Sequence, residues 1–417
     1  MGLLRTGLLL TDSYWVGQLG TNALAALGAA AFGWWMITLV AELPATGVHA
    51  LVAQAVGAGD RPQARAIATQ GLWGAVLAAI ALLACLPLVP PYLDVVGLGA
   101  GSAARPLGHA FLAASLWGAA SLTVHAVIGG VFRGLGDTRV ALWITLVAFA
   151  LNAVLDPLFI RALGIAGAAW ATAAANLVGA MIGAAVLMRR GLGPRVAWPD
   201  GSLGRRIATI GTPVSARGIA FCLVYVALGR MIVSFGEANM AALGVGHRVE
   251  SLAYMLCVAF EVAAATLVGQ CVGAGDPVGA REAARAATRW NVALLLPVGA
   301  AMMMVAEPVF GWFSADPATV ASGVTYLRVQ ALVLAFMAME STYGGAFAGT
   351  GNTVPPFWIV TVGTLLRLPL AWLLAWPLGL GVAGIWWSIG LTTLLRGIAS
   401  WWWWRGSSLT VGPRTTP

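Results

Sequence analysis

The sequence predicts an all-α membrane protein. It has about twelve transmembrane helices, the first of them truncated, in two six-helix lobes related by a parallel internal repeat. Three observations lead there. Of 417 residues, 60% are apolar and only 9% are charged, and the mean hydropathy is +0.87; a soluble domain carries about 25% charged residues. Apolar stretches long enough to cross a hydrocarbon layer of ~30 Å recur along the whole chain. The two halves also repeat each other. The same composition excludes a soluble globule, a disordered chain and a nucleic-acid-binding module, which all need more charge.

Residues 1–16 form a stub too short to span. Eleven longer stretches follow, at 21–53, 66–88, 106–129, 138–160, 164–188, 207–234, 240–271, 283–313, 318–346, 353–377 and 381–404, separated by Gly, Pro and Arg. The stretches at 21–53 and 240–271 exceed the required length, so they are expected to tilt or to project beyond the bilayer.

All 23 basic residues are arginine, and the net charge is +8. One set of loops holds Arg61, Arg65, Arg133, Arg139, Arg189, Arg190, Arg195, Arg205, Arg206, Arg281, Arg285 and Arg289, and Arg405 and Arg414 follow the last span. The opposite loops hold only Arg105 and Arg161. The positive-inside rule places the first set in the cytoplasm, with both termini on that side. The run Trp401, Trp402, Trp403, Trp404 before Arg405 reads as an aromatic belt at the inner interface.

LVAQAVGAGDRPQAR (51–65) aligns with LVGQCVGAGDPVGAR (267–281) at an offset of 216. AALG recurs at 25–28 and 241–244, FRGLGDT (132–138) matches FAGTGNT (347–353), and GIAGAAW (164–170) matches GVAGIWW (381–387). The expected organisation is a lobe at 1–194, a linker at 195–206, a second lobe at 207–404 and a tail at 405–417. An even number of spans in each half makes the repeats enter the membrane in the same direction. This is the arrangement of parallel-repeat transporters, in which two bundles rock about a shared cavity.

The glycine-rich blocks are turns. Asp60, Asp137 and Asp276 stand where helix N-caps are expected, and Gln63 follows Asp60 by three residues. A phosphate-cradling loop would require a lysine, and the chain has none. The four cysteines are scattered without a CxxC pair and the four histidines are dispersed, so no metal site and no cofactor is expected.

The string TDSYWVGQLGTNALAALG (11–28), with LVAQAVGAGD, FRGLGDT, LNAVLDPLFI (151–160), LVGQCVGAGD, HRVESLAYM (247–255) and RLPLAWLLA (367–375), resembles the multidrug and toxic compound extrusion (MATE) transporters. The blocks recur in family order from about residue 11 to 404, and the DinF-like bacterial branch fits best. The resemblance implies a monomeric multi-pass exporter in the bacterial inner membrane and no enzyme. It would carry lipophilic cationic small molecules outward against protons. The alternatives are a sodium-coupled exporter of the same family and a flippase of lipid-linked precursors. The NorM-like branch carries a glutamate in its seventh helix; the matching place here lies near Phe221, in a helix without an acid. The first helix is shorter than the family's, so the reading frame is expected to begin further upstream.

Acids at membrane depth cost roughly 2.5–3.5 kcal/mol on insertion scales, so they face an interior and mark pathways. The acids of this kind are Asp12, Glu42, Asp156, Glu250, Glu261 and Glu340. Asp156 lies one helical turn after Asn152, which puts both on one face. In the resembled branch an acid of the first helix and an Asn and an Asp of the fifth form the cation-coupling cluster; Asp12, Asn152 and Asp156 match those positions. The coupling ion is then expected to be a proton, with sodium as the alternative. Glu42, two residues before Pro44, and Glu261, at nearly the equivalent depth of the second half, are candidate cleft acids. His247, Arg248, Glu250, Glu340 and Arg367 are candidates for structural ionic contacts, with His247 bonded to Glu250 and Glu340 paired with Arg367. Trp35, Tyr225, Met255, Phe260 and Met337 are the apolar and aromatic residues that suit flat cations.

Overall fold

The computed structural model describes residues 14–193, 197–313 and 316–408. Among these the chain is helical with no strand. The helices are α1 (Thr21–Ala41), α2 (Leu43–Gly57), α3 (Arg61–Leu83), α4 (Val89–Val95), α5 (Arg105–Trp117), α6 (Ala119–Gly134), α7 (Thr138–Leu163), α8 (Ala166–Arg189), α9 (Gly201–Val233), α10 (Glu237–Gly273), α11 (Pro277–Phe313), α12 (Pro317–Thr350), α13 (Val354–Leu365), α14 (Arg367–Ala375) and α15 (Gly381–Gly406). Ten stretches among the described residues are long and apolar enough to cross a membrane, and eleven when the bent pair α5–α6 is taken as one. They coincide with the eleven stretches read from hydropathy, and the chain is a multi-pass membrane protein.

Several spans are broken, each for a local reason. Pro44 sits in the first turn of α2 and brings no N–H, and the helix is interrupted at Glu42, between α1 and α2. Glu42 therefore lies at a break in its span. α5 and α6 meet at Gly118 with a bend of 49°. α13 and α14 separate at Leu366, three residues before Pro369. Pro157 does not break its helix: α7 runs through it to Leu163.

The chain divides into two compact units that meet within α9, at Ser215 and Ala216. In the first, α6 packs against α2, α3 and α8, and α7 lies along α8. The leading part of α9 joins this unit: Leu203, Ile207 and Ile210 enter its core, and the Ser215 hydroxyl donates to the Leu39 carbonyl at 2.7 Å. In the second unit α12 is the central helix, packed against α10, α11 and α15.

The repeat reappears as matched backbone contacts. A Cβ at Gly130 would stand 2.6 Å from the Ala45 carbonyl oxygen, and one at Gly134 would stand 2.7 Å from that of His49. In the second unit the same holds for Gly345 against Glu261 (2.1 Å) and Gly349 against Ala265 (2.5 Å). Each GxxxG pair lets two helices approach until backbone touches backbone, which only glycine permits. Where hydrocarbon solvent removes most of the hydrophobic drive, such contacts supply the packing energy.

Candidate functional site

The first candidate site lies on α7. Its buried residues are Ala141, Ile144, Ala148, Asn152, Asp156 and Ile160, a stripe at three- and four-residue spacing. Val154 and Leu158, on the other face, are 62% and 56% exposed. The two polar residues of the stripe are enclosed: Asn152 is 1% and Asp156 0% exposed. The Asn152 amide donates through Nδ2 to Asp156 Oδ1 at 3.2 Å and to Thr172 Oγ1 of α8 at 3.1 Å. Asn176, one turn on from Thr172, donates to its backbone carbonyl at 2.9 Å. Pro157 follows Asp156 directly and has no N–H for the Ala153 carbonyl, which loosens the helix beside the carboxyl group. Thr172 is the member that sequence reasoning misses. Nothing in the sequence pairs it with Asn152 until α8 is laid along α7. Asp12 lies outside the described residues.

The second unit holds the larger network of ionisable groups. Arg217 of α9 donates to Glu261 Oε1 at 2.8 Å, and Ser341 of α12 donates to Glu261 Oε2 at 3.3 Å. Glu261 is thus paired with an arginine. Glu340 pairs with Arg396 of α15 (Nε to Oε2, 3.2 Å), not with Arg367 as the sequence suggests. Nothing in the sequence pairs Arg396, in the apolar span of α15, with Glu340 until α15 is packed against α12. Arg396 also donates to Thr364 (2.9 Å) and Thr393 (3.3 Å). Arg367 is 1% exposed. It donates through Nε to Thr392 at 3.0 Å and lies over the rings of Tyr225 and Phe221, 5.4 and 5.9 Å from their centroids. That contact is cation–π in kind.

Glu250 accepts from the Tyr326 hydroxyl, so the expected bond from His247 is not made. His247 packs at a tilt between Tyr225 and Tyr326, with ring centroids 5.0 and 5.9 Å away. Arg248 is exposed. Ring packing therefore places His247, and the longer reach of a tyrosine across from α12 takes the carboxylate. Among the described residues no three His, Cys, Asp or Glu side chains converge as a metal ion would require.

The turn aspartates cap their helices. Asp60 accepts from the Gln63 backbone N–H at 2.8 Å, Asp137 from that of Val140 at 3.1 Å, and Asp276 from that of Gly279 at 2.8 Å. Asp137 also takes Arg190, at 2.6 Å. Partial burial works against its charge, but the Val140 N–H, Arg190 and Arg139 outweigh this and hold its carboxyl below the usual range.

A model of the family described as MatE matches residues 1–158 and 213–373. A probable multidrug resistance protein NorM of Thermotoga maritima is 28% identical over 393 residues, covering 90% of this chain and 83% of the relative. One of the same name from Bradyrhizobium diazoefficiens is 27% identical, covering 94% of this chain and 87% of the relative. A crystal structure of MATE in the straight conformation superposes with a TM-score of 0.89 at 23% identity, over 97% of this chain and 92% of that one. With the family model matched over more than half its length and the helices shared from end to end, this chain belongs to the MatE family of membrane transporters.

Proposed function

We propose that this chain is a secondary active multidrug exporter that moves lipophilic organic cations outward against entering protons, by alternating access, as a monomer. It sits in the bacterial inner membrane with both termini in the cytoplasm. The observation that carries this reading is the enclosure of Asp156: a carboxyl group with no exposed surface, inside a membrane span, bonded to Asn152 and lying beside a proline. A charged acid at that depth is costly, so an acid kept there marks an ion or proton pathway. Bound proton and bound cation then compete for the transporter, which is the requirement of an antiporter. By the family resemblance Asp12 would be the second acid of the coupling set. The NorM relatives, named for multidrug resistance, support the substrate class.

The test is dye efflux from an exporter-deficient bacterium, with a proton gradient and a sodium gradient imposed separately. Wild type is expected to expel ethidium under the proton gradient, and Asp156→Asn, matched for amount in the membrane, is expected to fall to the background of empty cells. Efflux by Asp156→Asn at the wild-type rate overturns the coupling assignment. Efflux driven by sodium alone replaces the proton with sodium and keeps the exporter. One observation favours a second reading. Arg367 is buried in a span of the second unit and makes no ion pair among the described residues, and an uncompensated cation of this kind suits an anionic cargo such as a lipid-linked precursor.

A further inference from the structure

The first unit carries a basic recess that transport of cations does not require. Two adjoining cavities, of about 460 and 800 Å³, open where α3 and α7 begin and α8 ends. The first is lined by Arg61, Arg65 and Arg190, the second by Arg61, Arg139 and Arg190 together with Asp137. Two of these arginines have work within the fold. Arg65 donates to the Gly193 carbonyl at 2.7 Å, and Arg190 is paired with Asp137. Asp137 is itself spent on the α7 cap and on Arg190. Arg61 and Arg139 are exposed and make no ion pair among the described residues.

The repeat supplies an internal control. Arg65 corresponds to Arg281, which does the same job in the second unit, donating to the Ser407 carbonyl at 2.6 Å. The other three positions correspond to Pro277, Val354 and Ser407, and Asp137 corresponds to Asn352. A turn of this shape therefore folds without the extra cations. Of these cations Arg61 and Arg139 are held by no ion pair among the described residues, and both line the recess.

We infer that this recess binds the phosphate of an anionic phospholipid, with Arg61 and Arg139 as the groups that hold it. The lipid source follows from α3. Arg65, Thr69, Trp73 and Leu77 form one four-residue row that leads from the recess along the helix, and Trp73 and Leu77 are 40% and 65% exposed. Ile80, one turn further, is 58% exposed. A headgroup seated among the guanidinium groups thus has an apolar track for its acyl chains directly below it. Arginine reads a phosphate through paired N–H donors, which a zwitterionic headgroup's own ammonium group weakens. By the arginine bias this end faces the cytoplasmic leaflet, where anionic lipid attracts basic residues near the surface.

The test is native mass spectrometry of the purified full chain in detergent with phosphatidylglycerol, phosphatidylcholine or inorganic phosphate. Wild type is expected to retain one phosphatidylglycerol in preference to phosphatidylcholine. R61Q/R139Q is expected to retain it about thirtyfold less, the scale of two arginines near a membrane surface. R285Q/R289Q, which removes the same charge from α11, is expected to behave as wild type. Phosphatidylglycerol should raise the thermal unfolding midpoint of wild type and of R285Q/R289Q but not that of R61Q/R139Q. Equal retention by R61Q/R139Q overturns the site, and equal loss in R285Q/R289Q reduces it to bulk charge and overturns it as well. Displacement of the lipid by inorganic phosphate assigns the recess to a free anion and overturns the lipid reading.

Discussion

The pair Glu340–Arg396 offers a test of how the second unit is held together. Their side chains are 15% and 7% exposed. The Nε to Oε2 contact of 3.2 Å lies off a hydrogen-bonding angle, so what joins them is charge. Arg396 also fills the groove over Gly363, where a Cβ would stand 2.4 Å from the arginine Cγ. Glu340→Gln removes the carboxylate and leaves a buried guanidinium with only the hydroxyls of Thr364 and Thr393. Removing one partner of a buried pair costs about 3–5 kcal/mol. The two surviving threonine bonds and the misaligned contact put this case at the low end, about 3 kcal/mol. Arg396→Met should cost a similar amount, because it strands Glu340. Replacing both by Met keeps the volume and removes both desolvation penalties, so the double variant should lie within about 1 kcal/mol of wild type. The measurement is a double-mutant cycle of reversible unfolding in mixed micelles, followed by tryptophan fluorescence. Single variants that each cost less than about 1 kcal/mol, or a double variant equal to their sum, would refute the argument.

Two further outcomes follow from the helix contacts and the caps. Gly345→Ala places a methyl group 2.1 Å from the Glu261 carbonyl oxygen, while Gly244 has nothing within 4 Å; thermal unfolding should show Gly345→Ala lower by roughly 1–3 kcal/mol and Gly244→Ala nearly unchanged. Asp137→Ala should cost roughly 1 kcal/mol at neutral pH through loss of the α7 cap, with little from the half-exposed Arg190 contact. The Asp137 carboxyl is held below its unfolded value, so this contribution is complete above the ordinary carboxylate range. It disappears as pH falls through the folded value, and the gap between wild type and Asp137→Ala should close only in acid. A gap that is the same at every pH would refute the ionic part.

The spans were legible because hydropathy is a local property, and an uninterrupted apolar run has no other stable state in a bilayer. The caps at Asp60, Asp137 and Asp276 are equally local, since donor and acceptor lie three residues apart. The shared face of Asn152 and Asp156 follows from helical periodicity alone. The repeat alignment located the glycines at 134 and 349 without showing what they touch.

Partners across helices were not legible. Glu340 reaches Arg396, 56 residues on, and passes by the nearer Arg367. Glu250 meets Tyr326 in place of His247, and Thr172 completes the Asn152–Asp156 cluster from the next helix. The physical reason is rotation. A soluble helix declares its inner face by polarity, but a span that is apolar all round can turn about its axis at little cost to its hydropathy. Which side faces which neighbour is decided by close contacts such as Gly345 on Glu261, and these exist only once the helices have been brought together. The sequence by itself determined a multi-pass helical membrane protein with a repeated half and capped turns. The tertiary structure decided which buried charges meet, because in a bilayer only packing sets the rotation of each helix.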